Sequence, residues 1–202
     1  MELTRSTHTL IRFDRPFNSW IQAPLHIDDL RPLACVACAH PRGLPGSLGL
    51  HGHGVRARQQ RGPQDPQAAP TVVNLRLRRF ICTACRAVMT VAPPIVARKL
   101  FSAFAIGWAL ALYGLLAMPP VQVRARINPW RIHGAGAAQT WRSLTRWACE
   151  AHDLFAGPPP AANGDLRQRA QRASMALAAR AGPSTRDRPL DHRAAIGATQ
   201  PR

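Results

Sequence analysis

Two Cys-x-x-Cys pairs, Cys35/Cys38 in CVAC and Cys82/Cys85 in CTAC, place four thiols where they can close a tetrahedral zinc site. Each pair sets two sulfurs on one tight turn. Two such turns brought together give an all-thiolate shell with no open position for substrate or water, so the metal would hold a fold together and not run a reaction. The competing reading is two redox pairs or a disulfide framework. A thioredoxin-like pair needs a surrounding βαβ pattern, and nothing at the N-terminus reads as a secretory signal. The stretch from 39 to 81 exceeds the ~15–20 residues that separate the pairs of a compact ribbon. The excess is assigned to residues 51–70, rich in Gly, Pro, Gln and Arg, as a loop inserted between two strands. His40, His51 and His53 also fall between the pairs; four cysteines already suffice, so these read as loop residues. Cys149 is a lone thiol expected to pack as a small apolar residue, not as a nucleophile.

The chain has 202 residues and a formal charge of +17, from 27 basic residues against 10 acidic ones. From Pro66 to Cys149 there is no Asp or Glu, although eleven basic residues fall there, Arg76, Arg78, Arg79, Arg124, Arg126, Arg142 and Arg146 among them. A folded stretch that is cationic throughout suits a polyanion, because phosphate contacts draw affinity from charge and counterion release. Double-stranded DNA is the leading partner and an anionic membrane the second; no small-molecule substrate is indicated. A carboxylate-type nuclease needs acids that hold two metal ions at the scissile phosphate. Here the acids are confined to 2–65 and 150–191, and too little chain remains to build such a core, so a non-catalytic protein is expected.

The elements that would position these residues make an α+β chain. Residues 1–30 read as an N-terminal extension with a strand and an aromatic anchor at Trp20. Residues 31–94 read as the zinc ribbon: Val73, Leu75 and Leu77 alternate with Asn74, Arg76 and Arg78, and Val88–Val91 follow the second cysteine turn, a period-2 pattern. Residues 95–156 read as a helical domain. Within it Leu100–Met118 carries no charge, and its length raises a membrane span as a competing reading. Five alanines dilute its apolarity, so a buried central helix is preferred. Pro120 suits the first turn of a short helix to Ile127, and Thr140 is a plausible N-cap for a helix to about Phe155. There Trp141, Leu144, Ala148, Ala151 and Phe155 share one face, with Arg142, Ser143 and Arg146 opposite. Residues 157–202 read as a loose Pro/Ala/Arg-rich tail with one helix.

A long helix, a short one and a third with arginines at its start match the order of a helix-turn-helix module, whose last helix enters the major groove. Gln139, Thr140, Arg142, Ser143 and Arg146 would then face DNA, with Arg76, Arg78, Arg79, Arg124 and Arg126 on phosphates. The run RRFICTACRAVMTVAPPIVARKLFSAFAIGWALALYG, with PPVQVRARINPW and TWRSLTRWACEA, resembles the zinc-ribbon plus helix-turn-helix proteins of bacterial mobile elements, transposase-like or DNA-binding accessory proteins. The likeness covers roughly Ala34 to Phe155. It implies DNA binding by the helical module with the ribbon as a clamp, one structural Zn2+, a separate recombinase or transposase as partner, and a cytoplasmic, nucleoid-associated location. Two further readings stay open: an RNA-binding or protein-docking ribbon, and a single-pass membrane protein with a cytoplasmic zinc domain.

Overall fold

The computed structural model describes residues 8–12, 20, 26–44, 47–93, 99–130, 140–155 and 164–200. The chain divides into two compact units, Met1–Gln59 with Val73–Ile95 and Gln60–Val72 with Val96–Arg202. The architecture is α+β: a four-stranded sheet in the first, helices in the second.

The sheet has the order β1-β6-β5-β4, built from β1 (His8–Arg12), β4 (Leu50–Gly62), β5 (Thr71–Cys82) and β6 (Val88–Ala92); a small antiparallel ribbon pairs β2 (Gly43–Leu44) with β3 (Ser47–Leu48). β5 and β6 are antiparallel with Phe80 opposite Met89, and β1 runs parallel to β6 with Leu10 opposite Thr90. The period-2 pattern of β5 works as expected: Leu75 and Leu77 are buried and Arg76 is exposed. Burial then changes phase, so that Phe80 and Cys82 both enter the core. β6 lies between two strands and is buried along its whole length, which its Val-Met-Thr-Val-Ala composition allows. Trp20, Leu30 and Leu50 complete this core.

Two expectations change here. The strand and the Trp20 anchor expected within 1–30 are present, but β1 pairs with β6 and Trp20 and Leu30 join the sheet core, so they belong to the sheet unit and not to an extension of it. The expected loop 51–70 is a strand as far as Gly62, leaving only 63–70 as connection. β4 is exposed over most of its length, so its side chains show no apolar alternation; the strand rests on backbone pairing within the sheet, which composition does not reveal.

In the helical unit, α1 (Ala103–Gly114) opens on Ser102, whose hydroxyl accepts from the Ala105 N–H at 3.1 Å. Every residue of α1 but Tyr113 is buried, as expected of a central helix. No helix among the described residues is long and apolar enough to cross a membrane. α2 (Pro120–Ile127) starts at its proline and buries Val123 and Ile127. α3 (Arg142–Phe155) buries Leu144, Trp147, Ala148, Ala151 and Phe155. The rings of Phe101, Trp141 and Trp147 meet edge to face, with centroids 5.0–6.0 Å apart. The Lys99 ammonium pairs with the Glu150 carboxylate of α3.

The one helix expected in the tail is present as α4 (Leu166–Arg180); the remainder, expected to be loose, continues through a 3-10 turn at Pro183–Thr185 into a second helix, α5 (Leu190–Thr199). They are the main partners of α1. Their buried faces are largely alanine, Ala170, Ala173 and Ala178 on one and Ala194, Ala195 and Ala198 on the other. Alanine carries little hydrophobic signal but lets helices approach closely, so the packed faces look bland in sequence. α3 packs chiefly on α4 and α1, and α2 on α1. The α2–α3 pairing of a helix-turn-helix is therefore not what holds α3 in place.

Candidate metal centre

The two cysteine turns are built alike. In the first, the Cys35 N–H donates to His40 O at 2.8 Å and the Ala39 N–H to Cys35 O at 2.8 Å; in the second, the Cys82 N–H donates to Ala87 O at 3.0 Å and the Arg86 N–H to Cys82 O at 3.0 Å. The residue after each second cysteine is left-handed, Ala39 at φ 57° and Arg86 at φ 62°. This sharp return folds the chain back after four residues and turns both sulfurs of a pair to one side.

Gly49 fastens the turns to each other. Its carbonyl accepts from the Thr83 N–H at 2.9 Å and the Thr83 hydroxyl at 3.0 Å, and its own N–H donates to Arg42 O at 2.9 Å. Arg42 in turn donates to Leu33 O, two residues before Cys35. A side chain at 49 has no room: a Cβ there would lie 2.2 Å from Pro41 O and 2.7 Å from the His40 ring.

The four sulfurs all lie within 4.8 Å of one another. Across the turns, Cys35 Sγ is 3.6 Å from Cys85 Sγ, and Cys38 Sγ is 3.7 Å from Cys82 Sγ. A tetrahedron with Zn–S bonds of about 2.3 Å has S···S edges of about 3.8 Å, so these separations match a shared ion. They are far beyond a disulfide bond of about 2.05 Å. Cys35 and Cys82 sit in the hydrophobic core while Cys38 and Cys85 are exposed. The cluster thus has one wall in the sheet core and one open to solvent.

The thiols work against each other electrostatically. Burial pushes the Cys35 thiol up, but the backbone N–H groups of Ala37 and Cys38 and the neighbouring thiols outweigh it and draw it down to about 7. The His40 N–H favours a thiolate at Cys38, yet the adjacent Cys85 thiol, burial and the Cys35 and Cys82 sulfurs win and push it up to about 12. One sulfur ionises readily and the next resists, as expected for coupled groups. A dication removes that conflict, because its charge stabilises every coordinating thiolate. In geometry and chemistry the cluster is compatible with one zinc ion.

The remaining residues singled out from sequence are distributed over both units. In the sheet unit Arg76 is exposed and Arg78 and Arg79 are half-buried. In the helical unit Arg126, Thr140, Arg142 and Arg146 are exposed, with Arg124 and Ser143 half-buried; Gln139 lies outside the described residues. Helix α3 begins at Arg142, one residue later than a Thr140 cap would place it. Cys149 is exposed, contrary to its expected burial, because it lies off the Ala148–Ala151 face that packs inward. Of the histidines, His51 and His53 stand exposed on β4, whereas the His40 ring packs over Gly49. Sequence reasoning missed Gly49 and Thr83, whose roles depend on contacts across the fold. On β4, Arg56 is exposed and Arg58 half-buried. Comparison of the chain with family models, with curated proteins and with solved structures gives no match.

Proposed function

We propose that the chain is a zinc-stabilised, non-catalytic DNA-binding protein, with one structural Zn2+ held by Cys35, Cys38, Cys82 and Cys85. The observation that carries this reading is the charge of the sheet that the cysteines brace. Its four strands contain no Asp or Glu, while β5 alone carries Arg76, Arg78 and Arg79. A surface of fixed guanidinium groups without internal counter-charges gains most from a partner that brings its own dense negative charge. Arg142 and Arg146, exposed at the start of α3, supply a second basic element in the helical unit. The motif resemblance adds a role as regulator or helper of a separate recombinase or transposase of a mobile element, at the nucleoid.

The test is titration of the zinc-loaded protein into labelled duplex DNA over a range of salt concentrations, with structured RNA as competitor. Affinity that falls steeply with salt, and duplex that competes better than RNA, is the expected result. Salt-independent or absent binding would sink the reading.

A protein-docking role has one observation in its favour. Leu33 and Val36, on either side of Cys35, are 76% and 54% exposed, leaving large apolar side chains in water at the first cysteine turn.

A further inference from the structure

We infer that β4 forms a phosphodiester-binding site of its own, in which Arg56, Arg58 and Arg79 grip successive phosphates of the DNA backbone. This rests on the DNA-binding reading above and adds residues that the sequence places in a loop. Positions 56 and 58 are alternate residues of one strand, so Arg56 and Arg58 project from the same side about 6.7 Å apart. That separation is close to the distance between neighbouring phosphates on one strand of DNA. Arg79 reaches β4 from β5: its Nη2 lies 3.8 Å from where a Cβ on Gly54 would stand, two residues before Arg56.

Three features mark this as more than a solvated basic face. Arg58 is half-buried, and burial together with the Arg56 charge pulls its guanidinium below the ordinary arginine range, so like charges are crowded here at a cost. The Arg79 Nε is buried with no hydrogen-bond partner among the described residues, a donor left unsatisfied. No strand of the sheet carries an Asp or Glu. A phosphate oxygen is a strong acceptor with a full charge, and guanidinium groups meet it bidentately. β4 carries no Phe, Tyr or Trp, which points to backbone gripping without base stacking.

The experiment is fluorescence anisotropy of the zinc-loaded full chain on a mixed-sequence 20-base-pair duplex and on an RNA hairpin, at several salt concentrations. It compares wild type with Arg56→Gln/Arg58→Gln and with Arg172→Gln, an exposed α4 arginine, as control. Zinc content and the thermal midpoint are measured on each protein. The double variant is expected to keep its zinc, to hold or raise its midpoint because a repulsion is gone, and to bind duplex at least tenfold more weakly near physiological salt. Its log–log salt slope should fall by about two, one for each phosphate contact removed. If wild type binds duplex and the double variant matches it in affinity and slope, this site is wrong while the DNA-binding reading stands. Loss of zinc or a lowered midpoint in the double variant would show the arginines to be structural and likewise overturn the site. Wild type that binds neither nucleic acid removes both, and wild type that binds only RNA, with the same loss in the double variant, replaces DNA by RNA as the source of the phosphates.

Discussion

Trp108 donates its indole N–H to Asp191 Oδ2 at 3.1 Å inside the helical core, tying α1 to the first turn of α5. His192 Nε2 lies 3.6 Å from the same oxygen. The carboxylate sits near the N-terminal end of α5, where the helix dipole favours negative charge. Removing its one buried donor leaves the group short of a partner. Trp108→Phe is expected to destabilise the helical unit by about 2 kcal/mol or more, combining a lost hydrogen bond to a charged acceptor with lost packing. Urea unfolding followed by far-UV circular dichroism reads this directly, and an unchanged midpoint would show that the bond contributes nothing.

The alanine-faced helices approach so closely that a methyl group decides stability. A Cβ on Gly197 would lie 1.8 Å from Leu177 O, a backbone atom that cannot swing aside. Gly197→Ala improves intrinsic helix propensity by about 1 kcal/mol. The clash is expected to reverse that sign and lower stability by about 2 kcal/mol net. A higher melting temperature in the variant would contradict this packing.

At the cysteine turns the two small-residue positions respond in opposite directions. Gly49→Ala drives a Cβ into Pro41 O and should loosen the seam between the turns, lowering zinc affinity by tenfold or more in a chelator competition. Ala39→Gly should do the reverse. A non-glycine residue in the left-handed region costs roughly 1–2 kcal/mol, and the added chain entropy of glycine takes back about 0.5–1. A net gain of about 0.5–1 kcal/mol for the sheet unit is expected, read as a raised thermal midpoint.

Cys82→Ser removes one thiolate from the buried wall of the cluster. In small zinc domains, metal binding is folding free energy, on the order of 10–16 kcal/mol. Zinc measured by mass spectrometry should fall well below one per chain. The β-sheet signal should lose its cooperative transition while the helical signal at 222 nm persists. Full zinc occupancy with an unaltered transition would show that the four cysteines do not act together.

Zinc affinity should also depend on pH, with a break set by Cys35. Metal binding requires thiolates, so the metal-free cluster holds more protons than the loaded one and affinity rises with pH. Cys38, pushed up to about 12, is protonated in the free cluster at neutral pH and always releases its proton on binding. Cys35, drawn down to about 7, is already a thiolate above that pH and a thiol below it. The slope of log affinity against pH is therefore expected to steepen by about one on going below pH 7. A constant slope from pH 5.5 to 8.5 would show that Cys35 is not the thiol that titrates first.

The cysteine cluster was legible because ligand chemistry is written in residue type and local spacing: CVAC and CTAC can each form a turn without help from the rest of the fold. The central helix was legible for a related reason. An uncharged run such as Ala103–Gly114 must be covered on all sides, and it is. The inward face of α3, with Leu144, Ala148, Ala151 and Phe155, and Trp141 just before it, follows from period alone. One helix of the tail, α4, was legible; α5 was misread as loose because alanine faces have weak hydrophobic signal, and their stability comes from close approach to α1, a property of the partner as much as of the helix. β4 was misread because an exposed strand carries little apolar pattern and owes its conformation to β5.

Val-Arg-Ala-Arg occurs twice in this chain, at 55–58 in β4 and at 123–126 in α2. Nothing within the four residues separates the two conformations. At 123 the valine follows a proline-started turn and fills a hole beside α1, where it is fully buried; at 55 it lies half-exposed in a strand beside β5. What the sequence determined by itself was the inventory that any fold must honour: four thiols in two turns, an uncharged helix to be covered, and basic residues without acidic neighbours. Tertiary structure alone decided that the thiols meet at 3.6–3.7 Å, that the alanine tail packs, and that Arg79 of β5 reaches Gly54 of β4. The physical reason is range. Ligand identity, charge and local turn propensity act within a few residues, whereas packing and strand pairing are settled by segments far apart along the chain.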